Sequence, residues 1–153
     1  MPNKPTIFIE DFKQGQVMEY DCGVITEAEI ITFAKQFDPQ YFHVDPIAAK
    51  DSYYQGLIAS GWHTTAIMMR AIVAMYLTKA ASLGSPGVDE LRWHLPVRPG
   101  DNLMVRATIE SARISKNKPE MGVLKTAVAV FNQHNKQVMT LKATGFFKSR
   151  NIA

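Results

Sequence analysis

The segment "SGWHTTAIMMRAIVAMYLTKAASLG", residues 60–84, constrains the fold more than any other part of the chain. Its apolar residues fall on nearly all sides of a helical projection, which is typical of a helix buried on most of its surface. Ser60 is the predicted N-cap of this helix, and Gly84 is its predicted C-terminal stop. A helix buried on most sides must be surrounded by other elements of the same domain.

The rest of the chain is rich in strand signals, which indicate what surrounds the helix. Apolar stretches after the helix are separated by "RPGD", "KNKPE" and "HNK", and "GSPG" is predicted to be a turn before the first of them. The predicted strands cover residues 16–25, 88–97, 102–115, 121–133 and 136–148. This order predicts an α+β domain in which an antiparallel sheet of about five strands wraps around one long central helix.

Two further helices are predicted before the long one. Thr26 and Glu29 form a capping box at the start of residues 26–37. Pro39 is expected to end that helix, because the residue before a proline disfavours helical geometry. An Asp-Pro pair at Asp45 predicts a short second helix, in which Asp45 serves only as the N-cap.

Length and composition narrow the class of protein. The chain has 153 residues, of which 46% are hydrophobic, and it is predicted to form one globular domain spanning residues 1–153. A net charge of +3 is too small to indicate nucleic acid and suits an anionic small ligand. Cys22 is the single cysteine, so no intrachain disulfide forms and a reducing compartment is expected. No signal peptide is predicted, because the N-terminus reaches acidic residues before any apolar region develops. No membrane span is predicted either, because Arg70 interrupts the longest apolar window, and we expect a cytoplasmic protein.

The predicted strands are apolar on both faces and long for so small a domain. One face of the sheet is expected to pack on the central helix. The second face is expected to pack on another subunit, because apolar surface of that extent is rarely left in water. We therefore expect a homodimer or a dimer of dimers.

Asp38 and His43 are the most informative polar residues, because they lie among aromatic side chains in the connection after the first helix. Five residues is a poor spacing on a continuous helix, but a break at Pro39 allows both side chains to face one pocket. A carboxylate and a neutral imidazole around one water can activate it and handle the second proton. The apolar surroundings are expected to raise the pKa of Asp38. The alternative is structural, with Asp38 capping a turn and His43 bonding to backbone in the core.

Gly61 stands at the head of the long helix, within "GLIASGWH". N–H groups at a helix head carry partial positive charge, and a glycine lets a ligand approach them, so a carbonyl oxygen gaining negative charge is stabilised there. The alternative is that Gly61 only permits close packing of the helix on the sheet. His63, in the same turn, is expected to be a surface or interface histidine rather than a base.

These residues resemble the pattern of the MaoC-like dehydratases, which include the R-specific enoyl-CoA hydratases and share the hotdog fold. That pattern has an aspartate before a proline-containing turn, a histidine five positions later, then x-Asp, a small-residue run and a glycine at the head of the central helix. The matching positions here are Asp38, Pro39, His43, Asp45, Ala48 or Ala49, and Gly61. The resemblance extends through "GSPGVDELRWHLPVRPGD" and covers most of the chain.

The resemblance implies a hydratase or dehydratase that adds water to a trans-2-enoyl-CoA to give a (3R)-3-hydroxyacyl-CoA, or catalyses the reverse reaction. It implies that Asp38 and His43 are the acid–base pair and that Gly61 donates its N–H to the thioester oxygen. The residues expected to bind substrate are Gln40, Ser60, Trp62, Arg92, Arg98 and Lys148. The three cationic ones are candidates for the phosphates of the thioester carrier.

The implied substrate is an acyl-CoA or acyl-carrier-protein thioester, and no cofactor is expected, since coenzyme A is part of the substrate. Each active site is expected to be lined by both chains of a dimer, because a pantetheine arm needs a long tunnel. One departure concerns the local backbone. Family hydratases usually have an asparagine-proline pair before the histidine, where this chain has Gln40 and Tyr41.

Other functions are less well supported by the residues. Many hotdog thioesterases use a carboxylate on the central helix, and residues 62–83 contain no Asp or Glu. A non-catalytic acyl-thioester-binding subunit is expected to lack Asp38 or His43, and both are present. Ser60 lies outside a G-x-S-x-G elbow, the four histidines lack zinc-ligand spacing, and "GSPG" lacks the lysine of a phosphate-binding loop.

Overall fold

The computed structural model describes residues 3–151, which form one antiparallel sheet packed against a long helix. The strands are β1 (Val17–Val24), β2 (Ser82–Trp93), β3 (Asn102–Ile114), β4 (Met121–Phe131) and β5 (Gln137–Lys148). The helices are α1 (Glu27–Phe37), α2 (Tyr41–Val44) and α3 (Gly61–Met75), with short 3-10 turns at Ile9–Asp11, Ala48–Asp51 and Leu77–Lys79. The strand order is β1-β3-β4-β5-β2, so β1 and β2 are the two edges. The predicted α+β arrangement is confirmed.

The sheet has one apolar face and one mostly polar face, as β3 shows. Its alternate residues Leu103, Val105 and Ala107 are buried in the core that α3 completes. The residues between them point outward, where Arg106 pairs with Glu19 at 2.8 Å. The prediction that the strands are apolar on both faces is therefore wrong, because the side chains of a strand alternate between faces and charged residues occupy the outer one.

α3 begins where the sequence predicts and ends earlier. Ser60 is its N-cap, and its last residue is Met75, with the Tyr76 N–H bonded to the Ile72 carbonyl. The predicted stop at Gly84 is wrong, because Gly84 already lies in β2. The segment that begins at Ser82 instead pairs with β5 in an irregular register, in which Gly84 has a φ of +95°. The "GSPG" segment is consequently part of an edge strand rather than a turn before it.

α3 is buried on one face only within the single chain. Ile67, Met68, Ala71 and Ile72 face the sheet. The opposite face carries an exposed apolar row, which we call the α3 stripe; it consists of Trp62, Ala66, Met69 and Val73. The prediction of burial on most sides is wrong for one chain, since nothing in residues 3–151 covers this row. None of the helices within those residues has the length and apolarity needed to cross a membrane.

Candidate active site

The break after α1 brings Asp38 and His43 together. Asp38 is the C-cap of α1, and Pro39 prevents the helix from continuing. The chain turns with the Gln40 N–H bonded to the Asp38 carbonyl at 2.8 Å, and α2 then begins at Tyr41. This turn places the Asp38 Oδ2 atom 3.2 Å from the His43 Nε2 atom. Both side chains therefore face each other, as the proline break predicts.

His43 is buried and held in one orientation. Its Nδ1 atom lies 2.7 Å from the carbonyl oxygen of Ile58. Because a carbonyl oxygen only accepts hydrogen bonds, Nδ1 carries a hydrogen. Nε2 is then the nitrogen directed at Asp38, and it is the atom that can gain or lose a proton during a reaction. The structural alternative, a core histidine bonded to backbone, accounts for the contact of Nδ1 with Ile58 but not for the contact of Nε2 with Asp38.

The two carboxylate oxygens of Asp38 each accept a hydrogen bond. The Gln40 side-chain amide donates to Oδ1 at 2.8 Å, and the Ser60 hydroxyl donates to Oδ2 at 2.8 Å. Burial raises the pKa of Asp38, but the bonds from Gln40 and Ser60 and the nearby His43 outweigh it, and the pKa lies below its ordinary value. The prediction of a raised pKa is wrong for this reason. Asp38 is thus a carboxylate at neutral pH, which suits a base.

Asp45 belongs to the turn and is not in contact with the Asp38–His43 pair. Its Oδ1 atom accepts from the N–H groups of Ile47 and Ala48 at 2.9 and 3.0 Å. The predicted capping role is confirmed. The short helix expected after it is a 3-10 turn that begins at Ala48.

Ser60 connects the Asp38–His43 pair to the head of α3. It is fully buried, and besides donating to Asp38 its hydroxyl accepts from the Trp62 N–H at 3.3 Å. The next residue, Gly61, opens the helix, and among residues 3–151 its N–H has no hydrogen-bond partner. A free N–H at a helix head attracts a partly negative oxygen. Such an oxygen would lie one residue from the serine that holds Asp38.

Gly61 also meets a packing requirement. A Cβ atom at this position would lie less than 3.0 Å from ring atoms of Trp93, a residue at the end of β2. The Trp93 indole N–H donates to the Thr65 hydroxyl at 3.3 Å, which holds the ring over the helix head. The close approach of Trp93 excludes any residue larger than glycine at this position. This packing role does not prevent the Gly61 N–H from also acting as a donor, so the two roles are compatible.

A cavity of about 900 Å³ lies beside this arrangement. Its lining includes His43, Gln40 and Gly61, and Asp38 adjoins it through His43. Arg98 lines the cavity as well, with its guanidinium donating to the Tyr54 carbonyl at 2.7 Å. The volume is sufficient for a drug-sized ligand.

The structure does not bring every predicted substrate-binding residue to the cavity. Trp62 projects from the α3 stripe and packs edge-on against Trp93. Arg92 lies on β2 with its guanidinium bonded to the Leu91 carbonyl, and Lys148 ends β5. The described lining does not include Trp62, Arg92 or Lys148. Trp62 lies on the exposed face of α3, Arg92 on the edge strand β2 and Lys148 at the end of β5. Ser60 is buried behind Asp38 rather than facing the cavity.

The sequence analysis does not identify several of the residues that line the cavity. Tyr54, Trp93 and His94 reach the cavity from distant segments, which no local pattern connects. Thr64 has a signal that is visible in the sequence. It follows Gly61 by three residues, and residues at that spacing share one face of a helix.

His63 is buried, contrary to the expectation of a surface or interface residue. Its ring stacks on Phe33 with centroids 4.6 Å apart, and its Nδ1 atom is the one buried side-chain nitrogen or oxygen without a partner among the residues described. Burial lowers the pKa of His63; Glu29 raises it in part and Arg70 lowers it further. His63 is thus a neutral core residue.

His63 should make the protein less stable in mild acid. Below about pH 6.5 the unfolded chain takes up a proton on this histidine, whereas the folded protein resists it. Stability is therefore unaffected above that pH and falls as the pH drops below it. Calorimetry at pH 7.5 and 5.5 should show a smaller drop in Tm for His63→Gln than for wild type. His134→Gln, in the exposed turn between β4 and β5, should keep the wild-type drop. Equal drops in all three proteins contradict the prediction.

Within residues 3–151, no three histidine, cysteine or acidic side chains are grouped so that they could hold a metal ion. The expectation that the chain needs no cofactor beyond the coenzyme A of its substrate stays a prediction.

Known proteins that are similar to this chain in fold or sequence include the following three. A MaoC-like dehydratase from Rhodospirillum rubrum is 36% identical with a TM-score of 0.85, over 95% of this chain and 99% of that one. The R-hydratase PhaJ1 from Pseudomonas aeruginosa is 27% identical with a TM-score of 0.78, over 94% and 87% of the two chains. The 3-hydroxyacyl-thioester dehydratase Z of Mycobacterium tuberculosis is 28% identical over 117 residues, 75% of this chain and 78% of that one.

The structural similarity to these hydratases shows that the chain has the hotdog fold. A model of the family described as "MaoC like domain" matches residues 12–130, which include α1, Asp38, His43, α3 and most of the sheet. The chain therefore belongs to the MaoC-like domain family.

Proposed function

We propose that this protein is a hydratase or dehydratase of acyl thioesters, which adds water to a trans-2-enoyl-CoA to give a (3R)-3-hydroxyacyl-CoA or catalyses the reverse. The observation that supports it best is the contact of 3.2 Å between Asp38 Oδ2 and His43 Nε2 beside a large cavity that Gly61 also lines. The names of two similar proteins, an R-hydratase and a 3-hydroxyacyl-thioester dehydratase, agree with this chemistry.

In the proposed reaction, the thioester oxygen accepts a hydrogen bond from the Gly61 N–H, and a water in the cavity contacts both members of the Asp38–His43 pair, which themselves touch at 3.2 Å. As the water oxygen bonds to the β-carbon, one member of the pair removes a proton from it. The electrons of the double bond move toward the thioester oxygen, where the helix head stabilises the negative charge. A proton then passes from the pair to the α-carbon. Hydrogen and hydroxyl are added, and the pair returns to its starting state.

The direct test is a hydration assay over a panel of trans-2-enoyl-CoA chain lengths, with loss of the enoyl absorbance as the signal. We expect the protein to hydrate at least one of them, and coupling to a (3R)-specific dehydrogenase should identify the product. A thiol reagent in a parallel reaction detects free coenzyme A. Release of coenzyme A without loss of the double bond contradicts the proposal and indicates a thioesterase.

The rival functions find less support in the site. The 15 residues of α3 contain no carboxylate, and Arg70 is their only permanently charged residue, so the base of a helix-based thioesterase is missing from this helix. A non-catalytic binding subunit would have no need of Asp38 and His43 in contact. Both remain alternatives that the assay separates.

Arg98 is the proposed contact for the phosphates of the thioester. It lines the cavity, and its guanidinium has further N–H donors besides the one bonded to Tyr54. Arg98→Gln should raise KM for CoA substrates several-fold and leave kcat nearly unchanged, which is the pattern of lost uniform binding. Arg92→Gln and Lys148→Gln are matched controls, since both residues lie outside the described lining, and they should keep the wild-type KM. An unchanged KM in Arg98→Gln excludes this role.

We also propose that two copies of the chain pair through α3 and β2. Trp62, Met69 and Val73 of the α3 stripe are 57%, 46% and 37% exposed. β2 is an edge strand on which Val88 and Trp93 are exposed too. Apolar rows and unprotected strand edges are usually covered. Because Trp93 belongs both to this surface and to the cavity lining, a second copy placed here would also wall the active site.

Replacing two residues of the α3 stripe should dissociate the proposed dimer. Met69→Glu/Val73→Glu places two carboxylates in the proposed interface, where burying them without partners is unfavourable. Sedimentation at micromolar concentration should show a dimer or larger assembly for wild type and a shift to monomer for the double variant. Val24→Glu, exposed on the opposite edge of the sheet, should behave like wild type. A monomeric wild type contradicts the proposal.

A further inference from the structure

The floor of the cavity contains one hydrogen-bonding group that the proposed reaction does not use. We define the floor as the lining residues that are more than nine-tenths buried: His43, Ile58, Ala59, Thr64, Val97 and Val138. Only His43 and Thr64 among them have polar side chains. Both ring nitrogens of His43 are engaged, one with Ile58 and the other with Asp38. The Thr64 hydroxyl is therefore the remaining polar group of the floor.

The Thr64 hydroxyl has no hydrogen-bond partner within residues 3–151. Its neighbour Thr65 behaves as threonines in helices commonly do, donating to the Gly61 carbonyl four residues back at 2.9 Å. Among the described residues, His63 Nδ1 is the only buried side-chain nitrogen or oxygen that is both inaccessible to solvent and unpaired. The Thr64 oxygen is therefore accessible. Since Thr64 is only 2% exposed and lines the cavity, the cavity gives access to its hydroxyl.

The position of Thr64 relates it to the acyl group. It lies one turn after Gly61 on the same face of α3, and the thioester oxygen is expected at the Gly61 N–H. An acyl chain that continues along this face passes Thr64. A plain alkyl chain would exclude water from the hydroxyl and leave it unpaired, which is unfavourable.

We propose that the acyl group carries a hydrogen-bond-accepting oxygen, a hydroxyl or a carbonyl, a short distance beyond the reacting carbons, and that Thr64 is the specificity-determining residue that donates to it. This inference rests on the proposed function, since it assumes that an acyl thioester occupies the cavity. It assigns the substrate to the class of oxygen-bearing enoyl or 3-hydroxyacyl thioesters rather than to plain fatty acyl thioesters.

Binding of two saturated thioesters of equal size tests the proposal without requiring catalysis. 4-Oxopentanoyl-CoA and 4-methylpentanoyl-CoA differ only at C4, where a carbonyl oxygen replaces a methyl group and a hydrogen, and neither has a carbon–carbon double bond to hydrate. Calorimetric titration of the wild-type protein should give a Kd about tenfold lower for the oxo compound. Thr64→Val, which replaces a hydroxyl by a methyl group of similar size, should bind the two about equally. Thr64→Ser should keep the preference, because it keeps the hydroxyl.

Each other outcome has a definite meaning. If wild type binds both thioesters equally, the inference is overturned and the proposed function stands. The inference is also overturned if Thr64→Val weakens both by the same factor, because Thr64 then supports the site in general. If neither thioester binds wild type at millimolar concentration, the proposed function itself fails and the inference fails with it.

Discussion

Asp38→Asn should lower kcat for the proposed hydration by roughly a hundredfold or more, and His43→Ala should do the same, which is the scale of general acid–base catalysis. Asp38→Asn keeps the shape of the side chain and removes the carboxylate. His43→Ala removes the Nε2 atom that lies 3.2 Å from that carboxylate. The change is measured as loss of enoyl absorbance on a substrate that the wild-type protein hydrates.

The double variant separates a shared role from two independent ones. If both groups act on the same water, Asp38→Asn/His43→Ala should be little slower than the slower single variant. Asp45→Asn is the matched control, since it makes the same change seven residues away in a carboxylate that only bonds to backbone N–H groups. It should keep the wild-type kcat. Wild-type rates in both single variants would show that the pair is structural.

Gly61→Ala should lower kcat/KM by about a hundredfold, the scale of a lost oxyanion donor, and should also destabilise the fold. The added Cβ would lie less than 3.0 Å from the middle of the Trp93 ring, so either the ring or the helix head must move. Movement of the head displaces the free N–H and the adjacent Ser60, which donates to Asp38. Steady-state kinetics and thermal unfolding measure the two effects.

A second substitution separates the two roles of Gly61. In Gly61→Ala/Trp93→Ala the ring is absent and the new methyl group has room. The double variant should therefore be no less stable than Trp93→Ala alone, whereas Gly61→Ala should be clearly less stable than wild type. A wild-type kcat/KM and Tm in Gly61→Ala would contradict both the donor role and the packing role.

Much of the fold follows from patterns that are local in the sequence. The Thr26–Glu29 capping box is present, with the Glu29 N–H bonded to the Thr26 hydroxyl at 3.1 Å. The predicted bounds of β3, β4 and β5 agree with the structure within two residues, because charged and Gly/Pro-containing turns separate them. The meeting of Asp38 and His43 is local too, since one proline break within six residues is enough to bring them together.

Other features depend on contacts that no local pattern contains. The end of α3 at Met75 is decided by β5, which pairs with the chain from Ser82 onward. The outward face of α3 has an apolar sequence like its inward face, and only the sheet on one side distinguishes them. Arg98 and Arg92 look equivalent in the sequence, but Arg98 lies in the connection between β2 and β3 and lines the cavity, whereas Arg92 lies on the edge strand β2 and does not.

The sequence by itself determined which chemistry is available: a carboxylate, an imidazole and a glycine-headed helix, together with an alternation that makes a sheet. The tertiary structure decided how those groups are tuned. Burial raises the pKa of Asp38, and the hydrogen bonds from the neighbouring Gln40 and from Ser60, 22 residues away, lower it. The burial and the bond from Ser60 depend on the packing of the whole domain. The same packing leaves the Thr64 hydroxyl facing a cavity rather than the helix backbone. Backbone preferences act over a few residues, whereas the electrostatic surroundings of a side chain are set by whatever the fold places next to it.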